Sequence, residues 1–282
     1  FILDYEPSDA VRFSLNINGW KDKDDTPAPQ KIAVTPQNPP GSVGLGGTVP
    51  ADLPIFLYPN RPHHPPQADW GPDDPFGDSD LWQAALRADW DMNDYLTLTS
   101  ITSYADMNFL NGTEGGGTAL YDLDLPRDDG KIKTFSQELR LASDPSQSLR
   151  WVLGANYEDS SVDEASFLRY SGTSSTAVNG ITVSTNESHQ DMKNYAGFAN
   201  LEFDVTDEVT LKGGVRRTKA KRDTVNLTRD DPNLPPTGLY SLQEFFNIVY
   251  GLIGPAFGAV IPPIGQYQSI SLDTRVNADG TP

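Results

Sequence analysis

The chain of 282 residues contains no cysteine and only three histidines, and both shortages narrow its chemistry. Without cysteine it can form no disulfide, no thiolate metal site and no cysteine nucleophile. Basic residues are also scarce: 21 Lys and Arg against 39 Asp and Glu give a net charge of −18, which disfavours binding to nucleic acid. Hydrophobic residues make up 37% of the chain, which is low for a bundle of membrane helices.

One uncharged stretch, residues 245–265, is long enough to imitate a membrane-spanning helix. Pro255, Pro262 and Pro263 would each interrupt such a helix, and four glycines weaken it further. We therefore expect an apolar extracellular loop with a short helix at Leu242–Ile253.

Both ends of the chain lack the features of a complete secreted protein. Phe1 opens within a strand-like run, with no Met or signal sequence before it, and residues 277–282 read as a turn. We expect a piece of a longer protein.

Twenty-four glycines and 23 prolines predict many turns, and the connections between strand-like segments fall into two classes. The short polar ones are Glu6–Asp9, Asp91–Asp94, Asp144–Gln147 and Val205–Glu208. The long, irregular, acidic ones cover about 22–80, 109–130, 159–188 and 223–267. Tight turns on one side and long loops on the other are typical of transmembrane β-barrels.

Hydrophobicity alternates with a period of two along the strand-like segments. In 209–217, Val209, Leu211 and Val215 share one face, and Lys212 and Arg216 share the other. A bilayer would fix this phase strongly, because a cation facing lipid at mid-depth costs about 2–4 kcal/mol. The same alternation, with varying clarity, predicts nine strands: 1–5, 11–19, 81–90, 95–104, 132–143, 149–158, 195–203, 209–217 and 268–276.

Aromatic residues gather near both ends of these strands, as two bilayer interfaces would require. Those near the short turns are Tyr5, Trp90, Tyr95, Trp151 and Phe203; those toward the long loops are Trp20, Trp82, Tyr104, Phe109 and Tyr157. The fold class that these patterns favour is all-β: part of an antiparallel up-and-down transmembrane barrel with long extracellular loops.

Several strand pairs resemble the barrel domain of TonB-dependent outer-membrane receptors, in the branch that takes up iron complexes. The most specific stretch is FSQELRLAS at 135–143 followed by LRWVLGANY at 149–157. LTLTSITSY at 96–104, YAGFANLEFDVTDEVTLKGGVRRT at 195–218 and LDYEPSDAVRFSLNINGW at 3–20 are similar to other strand pairs of that family.

This resemblance implies a barrel of about 22 strands whose lumen holds a plug domain. It also implies binding of a scarce nutrient, often a ferric siderophore, at the extracellular mouth, with energy from a periplasmic coupling protein. Residues 1–282 would then be a partial barrel domain, since they show no plug, no coupling segment and no closing C-terminal strand. The expected partners are outer-membrane lipid, the plug, the coupling protein and a small-molecule ligand, and iron would be present only as cargo.

Two sets of residues are candidates for the working surface of such a receptor. Arg12, Arg150, Lys212 and Arg216 should line the lumen. The ligand should meet the loops, in the apolar 242–265 segment and the aromatic-acidic 66–82 stretch. The loop candidates are His63, His64, Trp70, Phe246, Tyr250 and Phe257.

Catalytic and metal-binding alternatives are weaker. Adjacent His63 and His64 point to opposite sides of an extended chain, so they rarely chelate one ion together. The acidic loops could bind Ca²⁺ weakly, although no EF-hand spacing is present. The carboxylates in question are Asp73, Asp74, Asp78, Asp80, Asp122, Asp124, Asp128 and Asp129. Without a nucleophile elbow or a defined carboxylate pair we expect no enzyme.

Two other classes of protein remain open from the sequence. One is a secreted soluble β-rich carbohydrate-binding protein or glycosidase that uses Trp70, Trp82 and nearby acids. The other is a passive porin.

Overall fold

The computed structural model describes residues 1–26, 29–44, 47–61, 69, 75–120, 123–170, 178, 180–230, 242–258 and 263. The strands are β1 Ile2–Ser8, β2 Val11–Asp24, β3 Val43–Gly44, β4 Gly47–Thr48, β5 Phe76–Asn93, β6 Leu96–Glu114, β7 Leu123–Ser143, β8 Leu149–Tyr170, β9 Val183–Thr206 and β10 Val209–Arg229. Eight of them form one antiparallel sheet in the order β1-β2-β5-β6-β7-β8-β9-β10, and β3 and β4 form a small separate pair. The helices are α1 Pro54–Leu57 and α2 Leu242–Ile253.

All eight large strands are neighbours in chain order, which confirms the predicted meander. Each of the four short polar connections lies between two paired strands, as predicted. The turns themselves cover 9–10, 94–95, 144–148 and 207–208, because the strands run further into three of the predicted segments. In the described part of the sheet β1 and β10 are the two edges and do not pair, so the barrel is not closed. The ninth predicted strand, 268–276, lies outside the described residues.

The long connections are shorter than predicted, because the strands continue into them. Residues 109–114 and 123–130 belong to β6 and β7, and 159–170 and 183–188 belong to β8 and β9. A strand needs only about 9–11 residues to cross a bilayer, whereas β9 has 24. These extensions are mainly polar on both faces and do not alternate regularly, so hydrophobic alternation could not reveal them.

Alternation assigns the two faces of the sheet as predicted. Val215 pairs with Ala199, and the same register row continues through Leu153, Leu141, Leu98 and Trp90 to Val11. This apolar face is open: Val215 is 68% and Leu211 61% exposed. In the described residues, therefore, no second layer covers the row that begins at Val209, as a sandwich would require.

The upper edge of the apolar band slants across the sheet. On β10 the apolar run that starts at Val209 stops at Val215, where Arg217 is the next residue on the same face, and the register row of Val215 meets β2 at Val11. On β2 the apolar run continues six residues further, to Ile17. Six residues at about 3.4 Å give about 20 Å, across six strand spacings of about 4.8 Å, or about 29 Å. The slant is thus about 35°, the tilt of strands in transmembrane barrels.

The predicted aromatic bands are correct except at two positions. Trp20 pairs with Leu81, and Phe109 pairs with Gly130, in rows on the polar face, so neither ring can sit at the outer lipid boundary. Of the other eight residues of the predicted bands, Tyr95 lies in the turn between β5 and β6, and the remaining seven lie on the apolar face. On that face Tyr157 packs between Phe135 and Tyr195. The prediction was wrong for Trp20 and Phe109 because it considered only their distance from a turn and not the face of the sheet on which each side chain lies.

The apolar 245–265 stretch begins as predicted. Helix α2 covers Leu242–Ile253 and is followed by a 3₁₀ turn, Gly254–Phe257, which Gly258 ends at a φ of 67°. Across the described ranges, none of the helices has the length and apolarity to cross a bilayer.

Candidate functional site

The four cations predicted to face the lumen lie together on the polar face of the sheet. Arg12 and Arg216 belong to the same register row, and Arg150 and Lys212 each pair across the sheet with Glu202. The row that joins Arg12 to Arg216 runs through Asp89, Thr99, Arg140, Gly154 and Phe198. Their common side is what strand alternation requires.

Three of these four cations already have a carboxylate partner. Arg150 holds Asp204 with two hydrogen bonds, of 2.5 and 2.7 Å, and Lys212 lies 3.1 Å from Glu202. Arg12 donates to Asp91 at 2.9 Å. The lower polar face is therefore a network of paired charges rather than a concentrated positive surface. Such a network suits contact with another hydrated protein surface.

Arg216 is held differently, over an aromatic ring. Its guanidinium carbon lies 5.5 Å from the centre of the Phe198 ring, a cation–π distance. The ring in turn covers Gly154, where an added Cβ would lie 2.1 Å from a ring carbon. Only glycine leaves room for the ring at this position.

Higher on the polar face, one register row is apolar across five strands. We call it the inner apolar row; it consists of Trp20, Leu81, Met107, Ile132 and Val162. The rows on both sides are mainly polar. Sequence reasoning missed this row, because each strand contributes only a single apolar residue to it, inside a stretch without clear alternation.

At the open ends of the strands, the β2–β5 connection packs on the tip of the β6–β7 hairpin. We call residues 29–61 the capping loop. The Tyr58 hydroxyl accepts from the Ala119 amide at 2.9 Å, and an added Cβ at Gly117 would lie 2.5 Å from the Lys31 nitrogen. The loop also reaches the β8–β9 connection, where Gly44 touches Val178. It therefore bridges two hairpin tips.

Lys31 is the internal anchor of the capping loop. The side chain is only 4% exposed, and its ammonium donates to the carbonyls of Ile55 and Tyr58, at 2.8 and 2.5 Å. These carbonyls belong to α1 and the residue after it, which is where a cation favours a helix. A buried ammonium is tolerated only with such partners.

A second contact set fixes the end of the capping loop. Asp69 accepts from Arg61 at 2.9 Å and from the Tyr58 hydroxyl at 2.9 Å. The Arg61 hydrogen bond, and after it that of Tyr58, lowers the pKa of the Asp69 carboxyl. The carboxylate is thus held in its charged form.

The glycine run at 115–117 binds a carboxylate of the chain itself. Gly116 and Gly117 donate their amides to Glu114, the Gly117 bonds being 2.9 and 2.8 Å long, and Gly117 has a φ of 68°. Glu114 is 6% exposed. The amides of Gly116 and Gly117 are therefore occupied by a carboxylate of the same chain.

The N-terminus of helix α2 is capped by a carboxylate that is distant in sequence. Asp230, at the end of β10, accepts from the amides of Leu242 and Gln243 at 2.5 and 2.8 Å, an N-terminal capping arrangement. On the helix, Phe246 contacts both Phe245 and Tyr250. Tyr250 is buried, whereas Leu252 is 70% exposed.

The ligand-contact candidates are only partly visible. Phe246 and Tyr250 lie together on α2, and the backbone of Phe257 is in the turn after it. His63, His64 and Trp70 lie outside the described residues. The prediction that residues 66–82 form a loop is wrong for their second half, because Phe76 and the residues after it belong to β5. Sequence reasoning missed Lys31, Tyr58, Asp69 and Glu114, since single polar residues in an irregular segment carry no motif.

Several acidic residues predicted in loops lie instead on strands with partners. Asp78 lies 2.8 Å from Lys23, Asp129 lies 2.7 Å from Arg127, and Asp128 accepts from Ser166. Within the ranges that the structure describes, no three His, Cys, Asp or Glu side chains are placed to hold a metal ion. Weak Ca²⁺ binding stays a prediction.

A family model described as TonB dependent receptor-like, beta-barrel, matches residues 16–264 of this chain. No curated protein sequence matches significantly. Among solved structures, the chain is similar to the ferric yersiniabactin uptake receptor of Yersinia pestis, with a TM-score of 0.52 and 15% identity. That alignment covers 81% of this chain and 37% of the receptor.

Two further receptors align with TM-scores just below one half. The ferric-catecholate import receptor of E. coli K12, in its closed form, gives 0.49 at 14% identity, over 96% of this chain and 38% of that one. The ferric preacinetobactin receptor of Acinetobacter baumannii gives 0.48 at 13% identity, over 80% and 35%. The chain thus spans little more than a third of the length of these proteins.

Proposed function

Because this chain belongs to the TonB dependent receptor-like β-barrel family, we propose that it is part of an outer-membrane receptor that imports a nutrient chelate. Proteins of this family are outer-membrane receptors and transporters of Gram-negative bacteria, not enzymes. The nutrient we propose is a ferric siderophore or a similar small molecule. The open apolar face, with its slant of about 35°, is the observation that carries the proposal.

The polar face supports a plugged lumen. A plug must sit against the wall and still be able to move, which favours hydrated, paired charges over an apolar interface. The pairs of Arg12 with Asp91 and Arg150 with Asp204 lie near the short turns. In this family the short turns face the periplasm, so these pairs would meet the plug on the side where the coupling protein pulls.

The mouth supports binding from the outside. The capping loop is anchored by buried Lys31 and bridges two hairpin tips, and α2 brings Phe246 and Tyr250 to the same end of the sheet. An extracellular mouth formed by the anchored capping loop and the aromatic side chains of α2 is suited to bind a partly aromatic chelate. The cargo's iron would arrive within the chelate and need no protein ligand.

The mouth can be tested in the full-length receptor by replacing one segment at a time with a short Gly-Ser linker. One variant replaces residues 242–258; a second replaces 62–74, which spares β5. A control shortens the Asp144–Ser148 connection at the opposite end of the sheet. Binding of ferric chelates to purified receptor should weaken in either or both mouth variants and stay unchanged in the control. Unchanged affinity in both mouth variants would contradict the assignment of these segments.

Energy coupling separates the proposed receptor from a passive porin. Chelate uptake by cells should stop when the proton gradient is collapsed or the coupling protein is deleted, although the chelate still binds. A porin would instead conduct in planar bilayers and admit solutes without either. Uptake that survives both treatments would refute the proposed function.

A further inference from the structure

The inner apolar row interrupts a face that is otherwise polar. It crosses five neighbouring strands from β2 to β8, so it is about 19 Å long at about 4.8 Å per strand spacing. Trp20 is 46% exposed, and the other four side chains are also partly exposed. A contiguous row of open apolar side chains with polar rows on both sides is typical of a surface that binds another molecule.

The rows of the same face that lie above the inner apolar row are acidic. Glu164 of β8 lies two residues above Val162, and Asp128 of β7 lies four residues above Ile132. Both strands have both neighbours in the described sheet, and among the described residues neither carboxylate has a Lys or Arg partner. From β2 to β10 these two rows contain no Lys, Arg or His.

The charge of the whole chain is concentrated toward the same end of the sheet. The four long connections of the sequence cover 22–80, 109–130, 159–188 and 223–267. They contain 22 of the 39 acidic residues and six of the 21 basic ones, so they carry −16 of the net charge of −18. The two cations of the capping loop are held within it, Lys31 by carbonyls and Arg61 by Asp69. The field at the mouth therefore attracts cations and repels anions.

We propose that the cargo is a ferric chelate with an apolar body and no net negative charge, which packs against the inner apolar row as it passes. The row supplies the apolar contact, and the carboxylates above it supply the charge selection. Three hydroxamate groups leave a ferric ion without net charge, whereas three catecholates leave three negative charges, so the hydroxamate class fits this wall. This inference rests on the proposed function and names the class of chelate.

Glu164 is close enough to the row to influence a bound chelate. Two residues along a strand correspond to about 7 Å, which is within the screening length of about 8 Å at physiological salt. Reversing one charge at that distance in water changes the affinity of a singly charged molecule about fivefold, in opposite directions for a cation and an anion.

The test uses the full-length receptor, purified in mild detergent, and one linear ferric trihydroxamate with polymethylene linkers. Its free terminal amine gives one positive charge, acetylation makes the chelate neutral, and succinylation gives it one negative charge. Quenching of tryptophan fluorescence measures binding of the three forms. The cation should bind most tightly and the anion most weakly, and added salt should narrow the difference. A ferric tris-catecholate should bind more weakly than all three.

Matched variants locate the effect on the polar face. Glu164→Lys should weaken the cationic form about fivefold and strengthen the anionic form by a similar factor. Asp163→Lys makes the same charge change one residue away on the opposite face, and should alter neither by more than about twofold. Ile132→Asn keeps every charge and should weaken all three forms about fivefold, through loss of about 40 Å² of apolar contact.

Three results would each overturn the inference: an anionic form that binds as tightly as the cation, equal effects of Glu164→Lys and Asp163→Lys, or binding of none of the three forms. The proposed function has a separate test, since it fails only if no chelate enters cells with the help of the proton gradient. Thermal melting in detergent shows whether each variant is folded. If Glu164→Lys unfolds, the order of the three forms and its salt dependence in the unchanged receptor still decide the question.

Discussion

A single cation placed on either face of β8 should distinguish the two environments of this sheet. Leu153 lies midway between Leu149 and Tyr157, which bound the apolar run of β8, so it should face the bilayer near its middle. Its row neighbours, Leu141 and Ala199, are also apolar and offer no counter-ion. Leu153→Arg should therefore lower the free energy of unfolding by about 2–4 kcal/mol, the cost of a lipid-facing cation at mid-depth.

The matched control is Val152→Arg, one residue away at the same depth. Val152 lies on the polar face in an open depression that Glu138, Arg140, Asn200 and Arg216 also line. An arginine there has room and water, and it would share the Glu138 carboxylate with Arg140. We expect a change of at most about 1 kcal/mol. Denaturant unfolding of the full-length receptor in lipid vesicles gives both values. Equal losses in the two variants, or a larger loss at Val152, would refute the assignment of lipid and lumen faces.

Three further predictions concern local contacts. Gly154→Ala should cost about 1–3 kcal/mol by overpacking against the Phe198 ring, and little once Phe198→Ala has removed that ring, as a double-mutant cycle in vesicles would show. The pKa of Asp69 is lowered in the folded chain, so its stabilisation of the capping loop is present above the unfolded pKa of about 4 and is lost as the pH falls through the lower folded pKa. Proteolysis of residues 29–61 should therefore accelerate below about pH 4. In Asp69→Asn the same proteolysis should be fast at every pH. Asp230→Ala should destabilise the start of α2 by about 0.5–2 kcal/mol, measured as faster hydrogen exchange of the Leu242 and Gln243 amides, and unchanged exchange would exclude the cap.

Alternation predicted the membrane part of this sheet because two different solvents act on alternate residues there. Val209, Leu211 and Val215 on one side and Lys212 and Arg216 on the other could hardly take another phase, since the opposite phase would expose two cations to lipid. Above the lipid both faces of a strand meet water or loops, so residues 109–114 and 159–170 carried no periodic signal and their strands were missed.

The mouth was least predictable, for a different reason. Lys31, Glu114 and Asp230 act through contacts with residues 12 or more positions away or with backbone groups, and neither leaves a spacing in the sequence. The short helix at Leu242–Ile253 was an exception. The apolar segment predicted a helix, and the proline soon after it predicted where the helix ends.

The inner apolar row of Trp20, Leu81, Met107, Ile132 and Val162 bears on how the proposed receptor would avoid leaking ions. Water leaves a narrow gap between apolar surfaces, and a hydrated ion cannot follow where water is absent. If an apolar surface of the plug or of the cargo packs against this row, water is excluded from the contact between them. Nutrients could then pass while the electrical seal of the cell envelope holds around them.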